Sequence, residues 1–215
     1  MDLKSSNNNF AICIGRQLGS GGREIARIIS RKMGIAYYDK EIITLTAKES
    51  GLAPEYFEQA DEKHSTPVIG CFSETGMPYY CFGRVGGSSA YLSNDHLFNI
   101  QSETIRNLAS KGPSVFVGRC ADYILREMPR LLSVFITANM ECRIERVSGY
   151  FSITEEEAAL KIRECDRKRA EYYNYYTFKK WGDASSYDFC LNSSIMGIEE
   201  TADRIIDICN EKILK

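Results

Sequence analysis

Residues 12–27 read ICIGRQLGSGGREIAR, an apolar run followed by a glycine-rich turn and the start of a helical pattern. Glycines let the main chain adopt positive φ and approach an anion closely, and the N–H groups of a helix N-terminus attract that anion. The stretch therefore predicts a strand, a phosphate-binding loop and a helix. The predicted loop residues are Gly19, Ser20, Gly21 and Gly22.

This loop departs from the usual GxxxxGK[ST] pattern of phosphate-binding loops. Arg16 takes the first glycine position, Gly22 the lysine position and Arg23 the hydroxyl position. The anion nest is made of main chain, and the lysine only adds a cation at the β- and γ-phosphates. Arg16 and Arg23 flank the loop and can supply that charge, since a guanidinium grips phosphate with two hydrogen bonds. The alternative is a glycine turn whose arginines face solvent.

Short apolar runs alternate with helical patterns along the rest of the chain, which is typical of a parallel sheet with crossover helices. The predicted strands are 10–15, 35–39, 114–118, 131–137 and 187–192. Helices are predicted between them, including ADYILREM after the third strand and a long helix, or two in sequence, from about 154. Thr154 and Glu157 are spaced as a capping box at its start. We expect an α/β fold with a doubly wound, five-stranded parallel sheet, whose ligands bind beyond the carboxyl ends of the strands.

The stretch from about 52 to 93 has a different texture, with a short helical pattern followed by Gly, Pro, Ser and aromatic residues without a period. So long an irregular stretch is usually a functional segment or a small insertion. We expect the 215 residues to form a single domain that carries this insertion.

Composition and charge exclude several classes of function. The 27 basic and 29 acidic residues give a net charge of −2, which argues against broad nucleic-acid or membrane-surface binding. The eight cysteines include no CxxC pair, and two histidines do not make a regular zinc cluster. With no apolar run long enough for a signal or a membrane span, we expect reduced core cysteines in a cytoplasmic protein.

Four motifs, in the order in which they occur, carry a resemblance to a known family. They are GRQLGSGGREIA, YYDKEI, VGRCADYIL followed by LLSVFITA, and ECDRKRAEYY. The chain resembles the cytidylate kinases among the P-loop nucleoside monophosphate kinases. It is most similar to the cytidylate kinase-like proteins, which carry a GSGGRE turn in place of GSGK[ST]T. The resemblance implies that ATP with Mg²⁺ is the phosphoryl donor and that CMP or dCMP is the acceptor.

The resemblance also implies an acceptor site. Asp39 ends the second predicted strand, and it looks like part of the acceptor-binding segment together with Lys40 and the insertion at about 52–93. Asp39 can meet the acceptor or cap the next helix. Arg119 ends the third strand and looks like the arginine of the family's Gly-Arg-Asp, which contacts the acceptor phosphate. Cys120 replaces the aspartate, and Asp122 is the nearest carboxylate. The alternative for Arg119 is an arginine paired beneath the sheet edge.

A helical lid, about 154–180, is the third region that the resemblance implies. Arg167 and Arg169 of the DRxR motif, and then Arg163, are candidates to close over the transferring phosphoryl group. A solvated helix face balanced by neighbouring acidic residues is the alternative. We assign no metal ligand, because Ser20 is out of place for Mg²⁺. The tyrosines at 172–176 are interpreted as packing residues.

Two other functions stay open at this point. The altered loop allows an acceptor that is another small phosphorylated or hydroxylated compound. It also allows a nucleotide-binding regulatory module without turnover. The sequence does not predict the oligomeric state, and no partner other than small-molecule nucleotides is expected.

Overall fold

A computed structural model describes residues 9–40 and 94–213, and the side chains from residue 98 onward in the second range. The elements, in chain order, are β1 (Ala11–Arg16), α1 (Gly22–Met33), β2 (Ala36–Tyr38), α2 (Asn94–Ser110), β3 (Ser114–Val117), α3 (Ala121–Ile124), β4 (Leu131–Thr137), α4 (Met140–Phe151), α5 (Glu155–Thr177), a 3₁₀ turn (Ala184–Ser186), β5 (Phe189–Asn192) and α6 (Ser193–Lys212). The predicted insertion at 52–93 and the helix predicted after Asp39 lie outside these residues, apart from the first helical residue, Lys40.

The five strands form one sheet in the order β2-β3-β1-β4-β5, and every neighbouring pair is parallel. The predicted doubly wound parallel sheet is therefore confirmed. Because all strands run the same way, their carboxyl ends share one edge, where such folds bind ligands. The loop that follows β1 lies at the centre of that edge, between the ends of β3 and β4.

Alternating residues of β1 divide the core into two layers. Ile12 and Ile14 face the layer that includes α1 and α6, where Ile25, Ile29 and Ile205 are fully buried. Ala11 and Cys13 face the opposite layer, which is built from α2, α3 and the later part of α5. Strands buried on both faces read as continuous apolar runs, which is why the sequence predicted them well.

Several local predictions are confirmed at the element ends. The C-cap of α1 is Gly34, which adopts φ 65°. Thr154 and Glu157 make the reciprocal capping box, with N–H to oxygen distances of 3.0 and 3.2 Å. The long pattern from 154 is one continuous helix rather than two.

Two predictions are wrong in detail. The helix expected over 121–128 ends at Ile124, and residues 125–127 form a turn. Pro129 disfavours a helical conformation at Met128. Cys190, expected to be a core residue, is exposed on the edge strand β5. Four of the six cysteines in the described part of the chain are buried, and all six are free thiols.

Candidate functional site

The turn between β1 and α1 depends on glycine at two positions. Gly19 and Gly21 have φ of 78° and 75°, the left-handed region that favours glycine. A Cβ atom at Gly19 would also lie 2.8 Å from the carbonyl oxygen of Arg143, and one at Gly21 would lie 2.9 Å from Ile198. Helices α4 and α6 therefore pack directly on the loop, and only glycine fits there.

Every main-chain carbonyl from residue 16 to residue 21 accepts a hydrogen bond, four of them from distant parts of the chain and two from the loop or the first turn of α1. The donors are Arg169 Nη1 to Arg16 at 3.1 Å, Ser20 Oγ to Gln17 at 2.9 Å, Arg143 Nε to Leu18 at 2.8 Å, Arg146 Nη1 to Gly19 at 3.1 Å, Ser193 Oγ to Ser20 at 2.7 Å, and the Ile25 amide to Gly21 at 2.9 Å. Three of the six donors are arginines from α4 and α5.

These hydrogen bonds also fix the direction in which the N–H groups of the loop point. In a planar trans peptide, the N–H of one residue points away from the carbonyl of the residue before it. The amides of Gly19, Gly21 and Gly22 therefore point away from the donors that surround the loop. Among the described residues these three N–H groups have no hydrogen-bond acceptor. The anion nest stays a prediction, and this orientation of the main chain is compatible with it.

Ser20 contributes differently from the sequence prediction. Its side chain is completely buried, its hydroxyl donates to the Gln17 carbonyl, and its amide donates to the same oxygen at 3.3 Å. Ser20 therefore closes the turn from within, and its own N–H is not directed at the nest. Binding of the donor nucleotide by Ser20 stays a prediction. The neighbouring residues are better placed for such a contact than the Ser20 side chain, which bonds to Gln17.

A buried ion pair holds Leu18 from both sides. The Leu18 N–H donates to Asp166 Oδ1 at 2.8 Å, and Arg143 Nε donates to the Leu18 carbonyl at 2.8 Å. Arg143 and Asp166 also bond to each other, with side chains only 5% and 15% exposed. We call these three residues the Leu18 bracket. It joins the loop to α4 and α5 in a fixed geometry.

The sequence prediction missed Arg143 and Arg146. They lie three residues apart on the helix after β4, a spacing that places both on one helix face. That spacing was the available signal, but nothing in it indicates that the face packs against a loop more than 120 positions earlier. The sequence interpretation places Asp166 in the DRxR motif and among the acidic residues that balance a solvated helix face, and it predicts no contact with the loop.

Arg16 lies across the loop. A Cβ atom at Gly22 would be 2.6 Å from Cβ of Arg16 and 3.0 Å from its Cγ. A Cβ atom at Gly118 would be 2.1 Å from the Arg16 Nη1. The stem of Arg16 therefore passes over the start of α1, and its guanidinium rests on the turn after β3. The structure thus brings this predicted residue to the centre of the site.

Arg23 is directed elsewhere. Its guanidinium pairs with the Asp39 carboxylate at 3.6 Å, and both side chains are 7% exposed. Tyr37 donates to the same carboxylate at 3.0 Å, and burial together with the nearby carboxylate raises the pKa of Tyr37. The pair joins α1 to the end of β2. Roles of Arg23 toward the donor, and of Asp39 and Lys40 toward the acceptor, stay predictions, and the helix that Asp39 would cap lies outside the described residues.

The turn after β3 has an unusual backbone. Gly118, Arg119 and Cys120 have φ of 73°, 58° and 55°. Non-glycine residues in this region cost roughly 1–2 kcal/mol each, and such strain is concentrated at functional sites. Arg119 Nη1 donates to Gln101 Oε1 at 3.4 Å, and its guanidinium lies 5.8 Å from the centre of the Tyr172 ring. The side chain of Arg119, which follows β3, is thereby held against α2 and α5.

Asp122 faces the core between the sheet and α5. Its carboxylate accepts a hydrogen bond from the Tyr173 hydroxyl at 2.7 Å. Burial raises the pKa of Asp122, and the hydrogen bond from Tyr173 partly opposes that shift. The described contacts therefore give Asp122 a part in anchoring α5, and its predicted contact with the acceptor stays a prediction.

The three lid arginines have different surroundings. Arg163 and Arg167 are exposed, and Arg167 pairs with Glu171 at 2.7 Å on the outer face of α5. Arg169 is partly buried and donates to the Arg16 carbonyl. Helix α5 is thus tied to the loop through Asp166 and Arg169. Closure of Arg163, Arg167 and Arg169 over a phosphoryl group stays a prediction.

The predicted packing of the tyrosines is confirmed for three of them. Tyr173 is buried in the core, and Tyr172 and Tyr176 pack against it. Tyr175 is 64% exposed, so the interpretation is wrong for that residue.

The described residues contain neither a metal-binding cluster nor a membrane-spanning helix. No group of three or more His, Cys, Asp or Glu side chains is placed to hold a metal ion. None of the helices in residues 9–40 and 94–213 is long and apolar enough to cross a membrane.

Comparison with known proteins identifies a family and similar structures. The chain matches the cytidylate kinase-like family over residues 11–195. It is 25% identical to a cytidylate kinase of Fervidobacterium nodosum over 94% of this chain and 96% of that protein. A crystal structure of an uncharacterized protein from Eubacterium ventriosum superposes with a TM-score of 0.71 at 25% identity, covering 94% of this chain and 99% of the other.

More distant structures share the fold alone. The shikimate kinase of Acinetobacter baumannii, at 13% identity, has a TM-score of 0.50 over 98% of this chain and 97% of its own. The family match covers most of the chain, from the first strand to the start of the last helix. This protein therefore belongs to the cytidylate kinase-like family.

Proposed function

We propose that this protein transfers the γ-phosphoryl group of ATP to a nucleoside monophosphate, with CMP or dCMP as the acceptor. The acceptor phosphate oxygen forms a bond to the γ-phosphorus as the bond to the β–γ bridging oxygen breaks. The products are ADP and a nucleoside diphosphate. A phosphate monoester has its second pKa near 6, so the acceptor is largely a dianion at neutral pH and needs no general base.

The observation that carries this proposal is the orientation of the phosphate loop. All six carbonyls from residue 16 to residue 21 are occupied by donors of the protein. The amides of Gly19, Gly21 and Gly22 are turned away from those donors, at the positive end of α1. Such a nest binds phosphate without a lysine, which supports ATP as the donor.

The acceptor side rests on Arg119. Its backbone has a positive φ at the carboxyl end of β3, directly after Gly118, against which the Arg16 guanidinium lies. Catalysis of phosphoryl transfer depends mainly on positioning and on neutralising charge, and a guanidinium group can serve both purposes. The similarity to the Fervidobacterium cytidylate kinase favours CMP among the monophosphates, at 25% identity.

Mg²⁺ ordinarily accompanies ATP and neutralises its phosphate oxygens. The loop provides no ligand of the usual kind, because Arg23 fills the hydroxyl position and the Ser20 hydroxyl donates to Gln17. We therefore assign no residue to the ion and base no step of the reaction on it.

The direct test is a coupled assay for ADP with ATP, Mg²⁺ and a panel of nucleoside monophosphates. We expect turnover to be fastest with CMP or dCMP. Arg119→Ala should raise the KM of the acceptor more than it weakens ATP binding. Equal loss of both would show that Arg119 does not belong to the acceptor site, and ATP binding without turnover on any acceptor would favour the regulatory module.

A further inference from the structure

We infer that Arg16 is the cation at the transferring phosphoryl group. Relative to the usual phosphate loop, the cation and a glycine have exchanged positions: Arg16 stands at the first glycine position and Gly22 at the lysine position. This inference rests on the proposed function. In the common pattern a glycine opens the loop and a lysine follows its last glycine. In this chain the arginine opens the loop, and the lysine position holds Gly22.

The two positions compete for one space. A side chain at residue 22 would place its Cβ 2.6 Å from Cβ of Arg16. Carbon atoms in contact are normally about 3.5–4.0 Å apart. Both Cβ positions are fixed by the main chain, so no rotamer relieves this overlap. A lysine at 22 is therefore incompatible with an arginine at 16, and Arg16 requires glycine at position 22.

The path of Arg16 leads from the donor side to the acceptor side. Its Cβ and Cγ lie over Gly22, where the N-terminus of α1 is expected to hold the donor phosphates. Its Nη1 rests on Gly118, directly before Arg119, the proposed acceptor-phosphate residue. The phosphoryl group moves between these two places. Gly118 is glycine both for its φ of 73° and for the space that Arg16 occupies.

The other flanking arginine does not fit this role as well. Arg23 lies at the same loop, but its guanidinium pairs with Asp39 and its side chain is almost fully buried. A carboxylate within 4 Å offsets much of its charge toward a nearby phosphate. Arg16 also has the geometric advantage over a lysine that its planar fork can bridge oxygens of two phosphate groups.

The test is a set of variants at the two positions, with Arg31→Ala on the exposed end of α1 as the control. Arg16→Gly should lower kcat by about 10²–10³-fold, the usual effect of removing one donor to transition-state charge. Arg16→Lys should retain part of the activity. Gly22→Lys alone should lower kcat at least as much, because the Cβ of a lysine at 22 overlaps with Cβ of Arg16. The double variant Arg16→Gly/Gly22→Lys should recover at least about tenfold in kcat over Arg16→Gly, or roughly 1.4 kcal/mol.

The clash can be tested without activity. Gly22→Ala should lower the Tm of the wild-type background and have a smaller effect in the Arg16→Gly background. Inorganic tripolyphosphate should bind the wild type more tightly than Arg16→Gly, while Arg31→Ala binds like the wild type. A double variant no more active than Arg16→Gly would overturn the exchange. So would kcat of Arg16→Gly within about threefold of the wild type, or an equal effect of Gly22→Ala in both backgrounds.

The two proposals can fail separately. Absence of turnover with every monophosphate, combined with Arg16-dependent binding of tripolyphosphate, rejects the proposed function and retains the assignment of Arg16 as the phosphate cation. Normal turnover with CMP in the Arg16→Gly variant rejects the exchange and retains the proposed function.

Discussion

Replacement of Asp166 by alanine tests the Leu18 bracket most directly. The variant removes the acceptor of the Leu18 N–H and leaves the Arg143 guanidinium without its carboxylate, although Arg143 keeps its bond to the Leu18 carbonyl. Because the Arg143 side chain is 5% exposed, water cannot take the place of the lost partner without opening the structure.

Removal of one member of a buried ion pair typically costs about 3–5 kcal/mol, since an uncompensated charge remains in the interior. In a domain of this size, 1 kcal/mol corresponds to a change in Tm of about 2–4 °C. The expected loss is therefore roughly 6–20 °C for Asp166→Ala. Asp166→Asn keeps an oxygen for the Leu18 amide, so its Tm should lie between those of Asp166→Ala and the wild type.

Thermal unfolding followed by circular dichroism, with and without ATP, measures both consequences. ATP binding should weaken in Asp166→Ala, because residues 17–19 are no longer held in place. Glu171→Ala is the matched control on the same helix, since it removes the exposed pair with Arg167 and should cost at most about 0.5 kcal/mol. If Asp166→Ala and Glu171→Ala lower the Tm equally, the bracket does not stabilise the loop.

Three further predictions concern the backbone and the core. Arg119→Gly should be more stable than Arg119→Ala by about 1 kcal/mol, because glycine relieves the left-handed conformation, and equal unfolding midpoints in urea would exclude that strain. Asp122 has a pKa raised by burial, so its stabilising contribution is complete below its ordinary pKa and is lost as pH rises through the raised value. The free energy of unfolding of the wild type relative to Asp122→Asn should therefore fall with rising pH, by about 1.4 kcal/mol for each pH unit by which the pKa is raised. A difference in urea midpoints that does not change with pH would contradict this prediction. Thr154→Ala should lower the free energy of unfolding by about 1 kcal/mol, because it removes the cap of α5. Ser148→Ala is the control and should leave the Tm nearly unchanged, because the Ser148 hydroxyl bonds to the Glu145 carbonyl within its own helix.

The sequence by itself determined the sheet, the loop and the family. Strands β1, β3 and β4 are mostly buried and are continuous apolar runs, so they could be recognised without knowing their neighbours. The glycine turn at 19–22 and the capping box at Thr154 depend on residues close together in the chain, which is why local patterns were sufficient. Arg16 follows from its place in the loop motif, and Arg119 from the resemblance to the family's Gly-Arg-Asp.

Only the tertiary structure decided what those arginines contact. Whether Arg16 or Arg23 faces the nest depends on the end of β2, where Asp39 pairs with Arg23. The role of Arg143 depends on a helix side packing against a loop 125 residues earlier in the chain. Helix periodicity predicts which residues share a face, but not which distant main-chain oxygen that face will meet. Hydrogen bonds between distant segments are fixed by the packing of whole elements, and that packing is a property of the folded chain alone.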